Sequence, residues 1–216
     1  TATKESFGIE SKKVVYMGQA VDVDRFFSDN LERVNEKKEF KVITIGRITP
    51  IKNLDTLIEA VALVSKEMPI AVGIVGTPAT EGDIKYSEKL KKMVVENGLS
   101  DRVHFVGPIA NKDLPKFFMT AHASINLCPT GGLDKTVLES MASGIPVLVS
   151  NGAFKGHLGH YGEDFLFPER NSIVLAELIK KLYARKDLVE VGRYLQKQVR
   201  EKSSLDRLIK NIVENL

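Results

Sequence analysis

Cysteine, tryptophan and long apolar runs are what this sequence lacks. Of its 216 residues one is cysteine, Cys128, and none is tryptophan. A single thiol makes no internal disulfide, so a disulfide-stapled fold is excluded and a reducing, cytoplasmic setting is the expectation. No apolar run reaches the roughly 18 residues of a membrane-spanning helix. The opening TATKESFGIESKK carries no signal-peptide core. Low-complexity tracts are missing too, and with 43% hydrophobic and 27% charged residues the chain is expected to fold. Charge of one sign is scarce: the net +3 is scattered among acids. The densest basic run, Lys89 to Lys92, has no aromatics interleaved to stack bases, so it reads as a solvated helix face and nucleic acid is not an expected partner. An anionic small molecule fits this charge. Peripheral contact with the inner membrane face is compatible with it but not indicated.

What the sequence has is alternation. KVITI (41–45) reads as a strand, and a helix opens at Asn53 with Leu54, Leu57, Ile58 and Val61 on one face. IAVGIV (70–75) is a second strand, followed by a helix over 84–96 that stops at Asn97-Gly98. RVHFV (102–106) is a third strand, and Asn111 then caps a helix with Leu114, Phe117, Phe118 and Ala121 inward. ASINLC (123–128) precedes a short helix near 136–143, PVLVS (146–150) is a fifth strand, FLF (165–167) a sixth, and two or three helices fill 172–216. The predicted class is α/β: a Rossmann-like doubly wound parallel sheet in the order 3-2-1-4-5-6, covered on both faces because parallel strands need crossover helices. The start does not fit this repeat. KKVVYM (12–17) is a strand with no helix behind it, so residues 1–38 read as the tail of a neighbouring domain plus a linker, and 39–216 as the α/β domain.

In that order the sheet reverses between its first and fourth strands, and ligands bind outside the carboxyl ends of strands at such a switch point. The segments after Ile45 and Cys128 should therefore face each other, and both are chemically unusual. In the first, Gly46 lets a ligand approach the backbone, Arg47 can fork onto two phosphate oxygens, Lys52 adds a mobile charge, and Asn53 opens a helix whose positive end points the same way. Together they suit a diphosphate; the plainer alternative is two cations solvating a loop. In the second, Gly131 and Gly132 precede a helix start and can expose backbone N–H groups to an anion. Thr136 is a candidate cap there. Glu139, three residues on, either completes a capping box or accepts both hydroxyls of a ribose.

These residues resemble a family, the retaining GT-B glycosyltransferases of glycosyltransferase family 4, in their C-terminal domain. The likeness runs from about Lys41 to Leu182 and rests on IGRITPIKNLDTLIEA, VGIVG (72–76), RVHFVGPI and VLESMASGIPVLVS; GQAVDVDRF (18–26) is similar to the family's interdomain crossing. The resemblance implies the C-terminal half of a GT-B fold that holds a nucleotide-sugar donor (UDP-, GDP- or ADP-linked) as substrate, with no cofactor and no metal. Arg47 and Lys52 would bind the diphosphate and stabilise the charge that develops on it, Glu139 the ribose, and Gly107 to Ile109 the base, with Leu138 beside the phosphate-facing turn. The acceptor, whether glycan, lipid or small molecule, would belong largely to an N-terminal domain this chain lacks, so the fragment is expected to be inactive alone. One departure stands out. The family's first glutamate would fall at Gly131 and its small turn residue at Asp134. Asp134 then takes over at the sugar with Lys135 at the diphosphate, a different sugar is held, or transfer is impaired.

Other signals carry less. Asp22-Val23-Asp24 has the spacing of a metal-binding D-x-D but precedes the sheet. His157 and His160 lack a third ligand for zinc and read first as an inert loop, then as a loop bordering the cleft; His104 alternates outward in its strand, and Cys128 reads as packing. Two rivals remain from other classes. One is an epimerase or phosphorylase on the same architecture; the other is a nucleotide-binding module without catalysis, which Gly131 favours.

Overall fold

Burial explains the order in which the strands lie. In the computed structural model, which describes residues 18–32 and 38–215, the chain runs α1 (Val23–Phe26), β1 (Phe40–Ile45), α2 (Leu54–Val64), β2 (Ile70–Val75), α3 (Glu81–Glu96) and β3 (Val103–Gly107). It continues through α4 (Leu114–Phe118), β4 (Ala123–Asn126), α5 (Lys135–Ala142), β5 (Val147–Val149), α6 (Lys155–Leu158), α7 (Gly162–Phe165), α8 (Ser172–Ala184), α9 (Leu188–Ser203) and α10 (Leu205–Val213). All five strands are parallel, in the order β3-β2-β1-β4-β5. β4 and β5 are buried at every residue. Apolar groups on both faces of a strand need helices on both faces, and α2, α5, α8 and α9 supply them. Phe40, Leu57, Ile58, Val61 and Leu148 are fully buried, each contributing about 1.5–3 kcal/mol of burial.

Helix signals in the sequence map onto real caps, with exceptions. α3 opens on a capping box, in which Thr80 accepts from the Asp83 N–H and Asp83 returns the bond to the Thr80 N–H, and it stops at Gly98 in the left-handed region. Asn111 does not cap α4. It begins a 3-10 turn (Asn111–Asp113), because its carbonyl and side-chain oxygen are both engaged by the Arg25 guanidinium. The expected sixth strand shrinks to one parallel bridge, Val149 with Leu166, since Phe165 reaches the core as the end of α7 instead.

The segment assigned to a tail and linker divides. KKVVYM (12–17) lies outside the described residues, but residues 18–32 pack on the domain. Leu31 is 1% exposed, Val21 bridges to Ser204, and Gln196 on α9 donates to the Ser28 and Ala142 carbonyls at 2.9 and 3.3 Å. Two glycines make this fit: a Cβ on Gly144 would stand 2.5 Å from a Leu31 methyl, and one on Gly192 2.3 Å from the Gly144 carbonyl oxygen.

Of the two histidines, His157 is built into the fold while His160 stays exposed. His157 is 7% exposed and bonds Ser203 Oγ at 2.9 Å, while the His160 ring packs against those of Tyr161 and Tyr194, which also touch each other. Burial, helped by the charge of Lys202, pushes the His157 pKa down to about 4. An unfolded histidine titrates near 6.5, so between these values the unfolded chain binds the extra proton and the folded chain does not. Stability is therefore full above about pH 6.5 and is expected to fall by up to about 3 kcal/mol as pH drops towards 4. Melting temperature measured across that window should show the loss, and His157→Asn should flatten it.

Candidate functional site

The chain leaves β1 at Gly46, where φ is +148° and the N–H donates to the Val75 carbonyl at 3.0 Å. Pro50 fixes the first residue of a 3-10 turn (Pro50–Lys52), and Asn53 then adopts the left-handed conformation with φ 45°, ending the turn before α2 begins. This sends the Lys52 side chain back across Gly46, its Cε 3.5 Å from where a Cβ there would lie. Asn53 opens α2 without capping it through its side chain. Buried at 3% exposure, it donates to the Leu127 carbonyl at 3.3 Å and accepts from Arg170 Nε at 3.1 Å, which ties the start of α2 to the end of β4 and to the segment before α8.

The two segments at the switch point do face each other. Lys52 Nζ stands 2.6 Å from Asp134 Oδ2 across the gap. Asp134, not Thr136, is the N-cap of α5: its Oδ1 accepts from the Thr136 N–H at 3.1 Å and hydroxyl at 2.9 Å. Its Oδ2 also accepts from Asn126 Nδ2 at 2.9 Å. Burial alone would raise the Asp134 pKa, but the Lys52 ammonium, Asn126 and the Thr136 N–H outweigh it and hold the carboxyl below its ordinary value. Both Asp134 oxygens are thus engaged within the protein.

With the cap at Asp134, the third helical residue of α5 is Val137, so Glu139 completes no capping box. Its carboxylate is half-buried and bonded to no side chain or backbone group among the described residues. Burial raises its pKa; Arg25 pulls it down, Asp134 pushes the same way as burial, and Lys135 opposes. Such a group gains by accepting two hydroxyls, since an unpaired acceptor out of water is costly. Leu138 is fully buried, so its side chain meets the core and not a ligand.

Arg47 and Lys135 are exposed and have no hydrogen-bond or ion-pair partner among the described residues. Gly131, with φ +96°, and Gly132 are exposed and carry no neighbour within 4 Å of a would-be Cβ. Gly107, with φ +82°, accepts from the Gly76 N–H at 2.9 Å, and Ile109 follows it, half-exposed, at the same end of the sheet. The cleft itself is small and lined by Thr44, Gly46, Arg47, Lys52, Asn126 and Leu127 among others. Cys128 lies just past the end of β4, its thiol donating to the Thr130 carbonyl at 3.6 Å, while His104 is exposed as expected. Asp22 caps α1 and Asp24 pairs with Arg200 at 2.8 Å, so the D-x-D aspartates are used in holding the 18–32 segment.

Two residues that shape the turn escaped the sequence reading. Asn126 accepts from the Cys128 N–H at 3.2 Å while reaching Asp134. Asn151, 6% exposed, donates to the Gly131 and Gly132 carbonyls at 3.4 and 3.3 Å. Each is a polar residue closing an apolar strand, and that was the available signal.

The sequence matches the family described as Glycosyl transferases group 1 over residues 27–202. The GDP-mannose-dependent alpha-(1-6)-phosphatidylinositol monomannoside mannosyltransferase of Mycobacterium tuberculosis is 29% identical over 149 residues, 63% of this chain and 37% of the relative. The match thus spans little more than a third of that relative's length. Among solved structures, HepE of Anabaena in complex with UDP aligns with a TM-score of 0.81 at 20% identity, over 99% of this chain and 60% of that one. The C-terminal domain of the group 1 family protein LpcC from Francisella tularensis aligns with a TM-score of 0.71, also at 20% identity, over 86% of this chain and 100% of that one. At these identities the two structures share the fold with this chain.

Proposed function

The chain belongs to the glycosyl transferases group 1 family, and from that membership and the geometry of its cleft we propose that it is the donor-holding, C-terminal part of a retaining GT-B glycosyltransferase of family 4. The observation that carries the reading is the convergence of Gly46, Arg47 and Lys52 with the Gly131–Asp134 turn and the start of α5 at the switch point. Arg47 and Lys52 meet the diphosphate, Lys135 and the open backbone of Gly131 and Gly132 stand beside it, and Glu139 accepts the ribose hydroxyls. Gly107 and Ile109 lie where the base would rest. Positive charge fixed in advance where the leaving diphosphate gains negative charge lowers the barrier without reorganisation during the reaction. The relatives' names support a nucleotide-linked donor: one is GDP-mannose-dependent and one neighbour holds UDP. The acceptor, glycan, lipid or small molecule, meets the remainder of the enzyme, which acts in the cytoplasm.

Calorimetric titration of UDP, GDP and ADP into this chain tests the proposal. One of the three is expected to bind, and the matching nucleoside, lacking the diphosphate, to bind at least about tenfold more weakly. If no nucleoside diphosphate binds at millimolar concentration, the cleft has been misread.

A further inference from the structure

Four donors in the cleft converge on one carboxylate. Oδ2 of Asp134 takes the Lys52 ammonium and the Asn126 amide, and Oδ1 takes the Thr136 hydroxyl and N–H, at 2.6 to 3.1 Å. A cation, a primary amide, a hydroxyl and a backbone N–H at the start of an eight-residue helix form the kind of donor set a phosphate group takes. Here the chain fills it with its own side chain. A helix cap accounts for the Oδ1 contacts alone, and Ser, Thr or Asn would serve that purpose as well. The Oδ2 contacts with Lys52 and Asn126 lie outside what a cap requires. They join a group before α2 and a group at the end of β4 to a single negative charge.

Resting on the donor-cleft reading above, we infer that Asp134 is an internal competitor for the donor's diphosphate: a built-in anion that a phosphate must displace from Lys52, Asn126 and the first turn of α5. Its charge therefore weakens the binding of nucleoside diphosphates and favours their release after transfer. The competition persists at neutral pH, because Lys52 and the other donors keep the carboxyl ionised. It also sets a preference. A ligand must bring enough negative charge to exchange with a carboxylate, so a diphosphate succeeds where a neutral nucleoside gains nothing from these groups.

The test uses two neutral caps, Asp134→Asn and Asp134→Ser, each checked for native circular dichroism and a cooperative melt, so that one carries the experiment should the other fail to fold. Inorganic pyrophosphate, UDP, GDP, ADP and the three matching nucleosides are titrated into the native chain and both variants. Pyrophosphate and the preferred nucleoside diphosphate are expected to bind the variants at least about tenfold more tightly, with nucleoside affinity unchanged. Adding Lys52→Ala to Asp134→Asn should abolish the gain, because the released ammonium carries it. Equal diphosphate affinity in native chain and variants overturns the inference and leaves the donor-cleft reading standing. Weaker binding by a folded variant also overturns it, making Asp134 a ligand that helps. Absence of nucleoside diphosphate binding to every chain overturns both.

Discussion

Gly76→Ala is expected to cost the domain about 3–5 kcal/mol and to lower its melting temperature by roughly 10 °C or more. Gly76 follows β2 with φ +133°, a conformation open to glycine and strained for alanine. A Cβ there would lie 1.9 Å from the Gly46 carbonyl oxygen, and the obstacle is backbone, not the tip of a side chain that can swing away. The two strand ends would have to separate. The Gly46 N–H bond to Val75 and the Ile48 N–H bond to Thr77 hold that junction, as does the Gly76 N–H bond to Gly107. Because the same junction aims Arg47 and Lys52, ligand affinity should fall with stability. Gly152→Ala is the control: its φ is not in the left-handed region and nothing lies within 4 Å of the added carbon. It is expected to shift the melt by little. A Gly76→Ala melt within about 2 °C of native would show that the strand ends move apart easily.

The central sheet was legible because each strand advertises itself. KVITI, IAVGIV and PVLVS are apolar beyond a two-residue alternation, and that is how a strand buried on both faces reads. Switch-point geometry then followed from counting. What could not be read is whatever depends on residues that are far apart and small. Leu31 is buried because Gly144 and Gly192 have no side chains, and a glycine in the middle of α9 looks in sequence like a weak point of the helix. FLF failed as a strand for a related reason. Burial of Phe165 and Phe167 is met as well by a helix end followed by a single bridge as by a paired strand.

Around the switch point, the sequence singled out candidate groups but not their couplings. Arg47 and Lys52 stand out as a basic pair in the segment that follows a switch-point strand. Asp134 and Thr136 are both good helix caps two residues apart, and spacing alone favoured Thr136 because an acid follows three residues later. The geometry chose Asp134, which satisfies Thr136 and Lys52 at once. That choice frees Glu139 from capping and leaves it half-buried without a partner among the described residues. Asn126 and Asn151 show the limit most clearly: their side chains hold backbone groups and a carboxylate whose positions no local pattern encodes.

Removing the basic pair should separate its members. Each charge-assisted bond to a phosphate contributes about 1.5–3 kcal/mol, so Arg47→Ala is expected to weaken the preferred nucleoside diphosphate by about 10- to 100-fold, and the double variant with Lys52→Ala by more than about 100-fold. Lys52→Ala alone should cost more than Arg47→Ala. Arg47 is exposed and has no partner among the described residues, so its loss removes attraction and nothing else. Lys52 neutralises Asp134 at 2.6 Å, with both side chains about four-fifths buried, so its loss also leaves a bare carboxylate facing the incoming diphosphate. Stability should report the same coupling. The Asp134 pKa is depressed in the folded chain, so the pair stabilises above the ordinary carboxylate value and the contribution disappears as pH falls through the folded value. The stability difference between native chain and Lys52→Ala is therefore expected to be largest at neutral pH, at about 1–3 kcal/mol, and to shrink as pH falls below about 4. Arg47→Ala should show no such narrowing. If both single variants bind the nucleotide within about threefold of the native chain, the two cations solvate a loop and the diphosphate, if it binds, is held elsewhere.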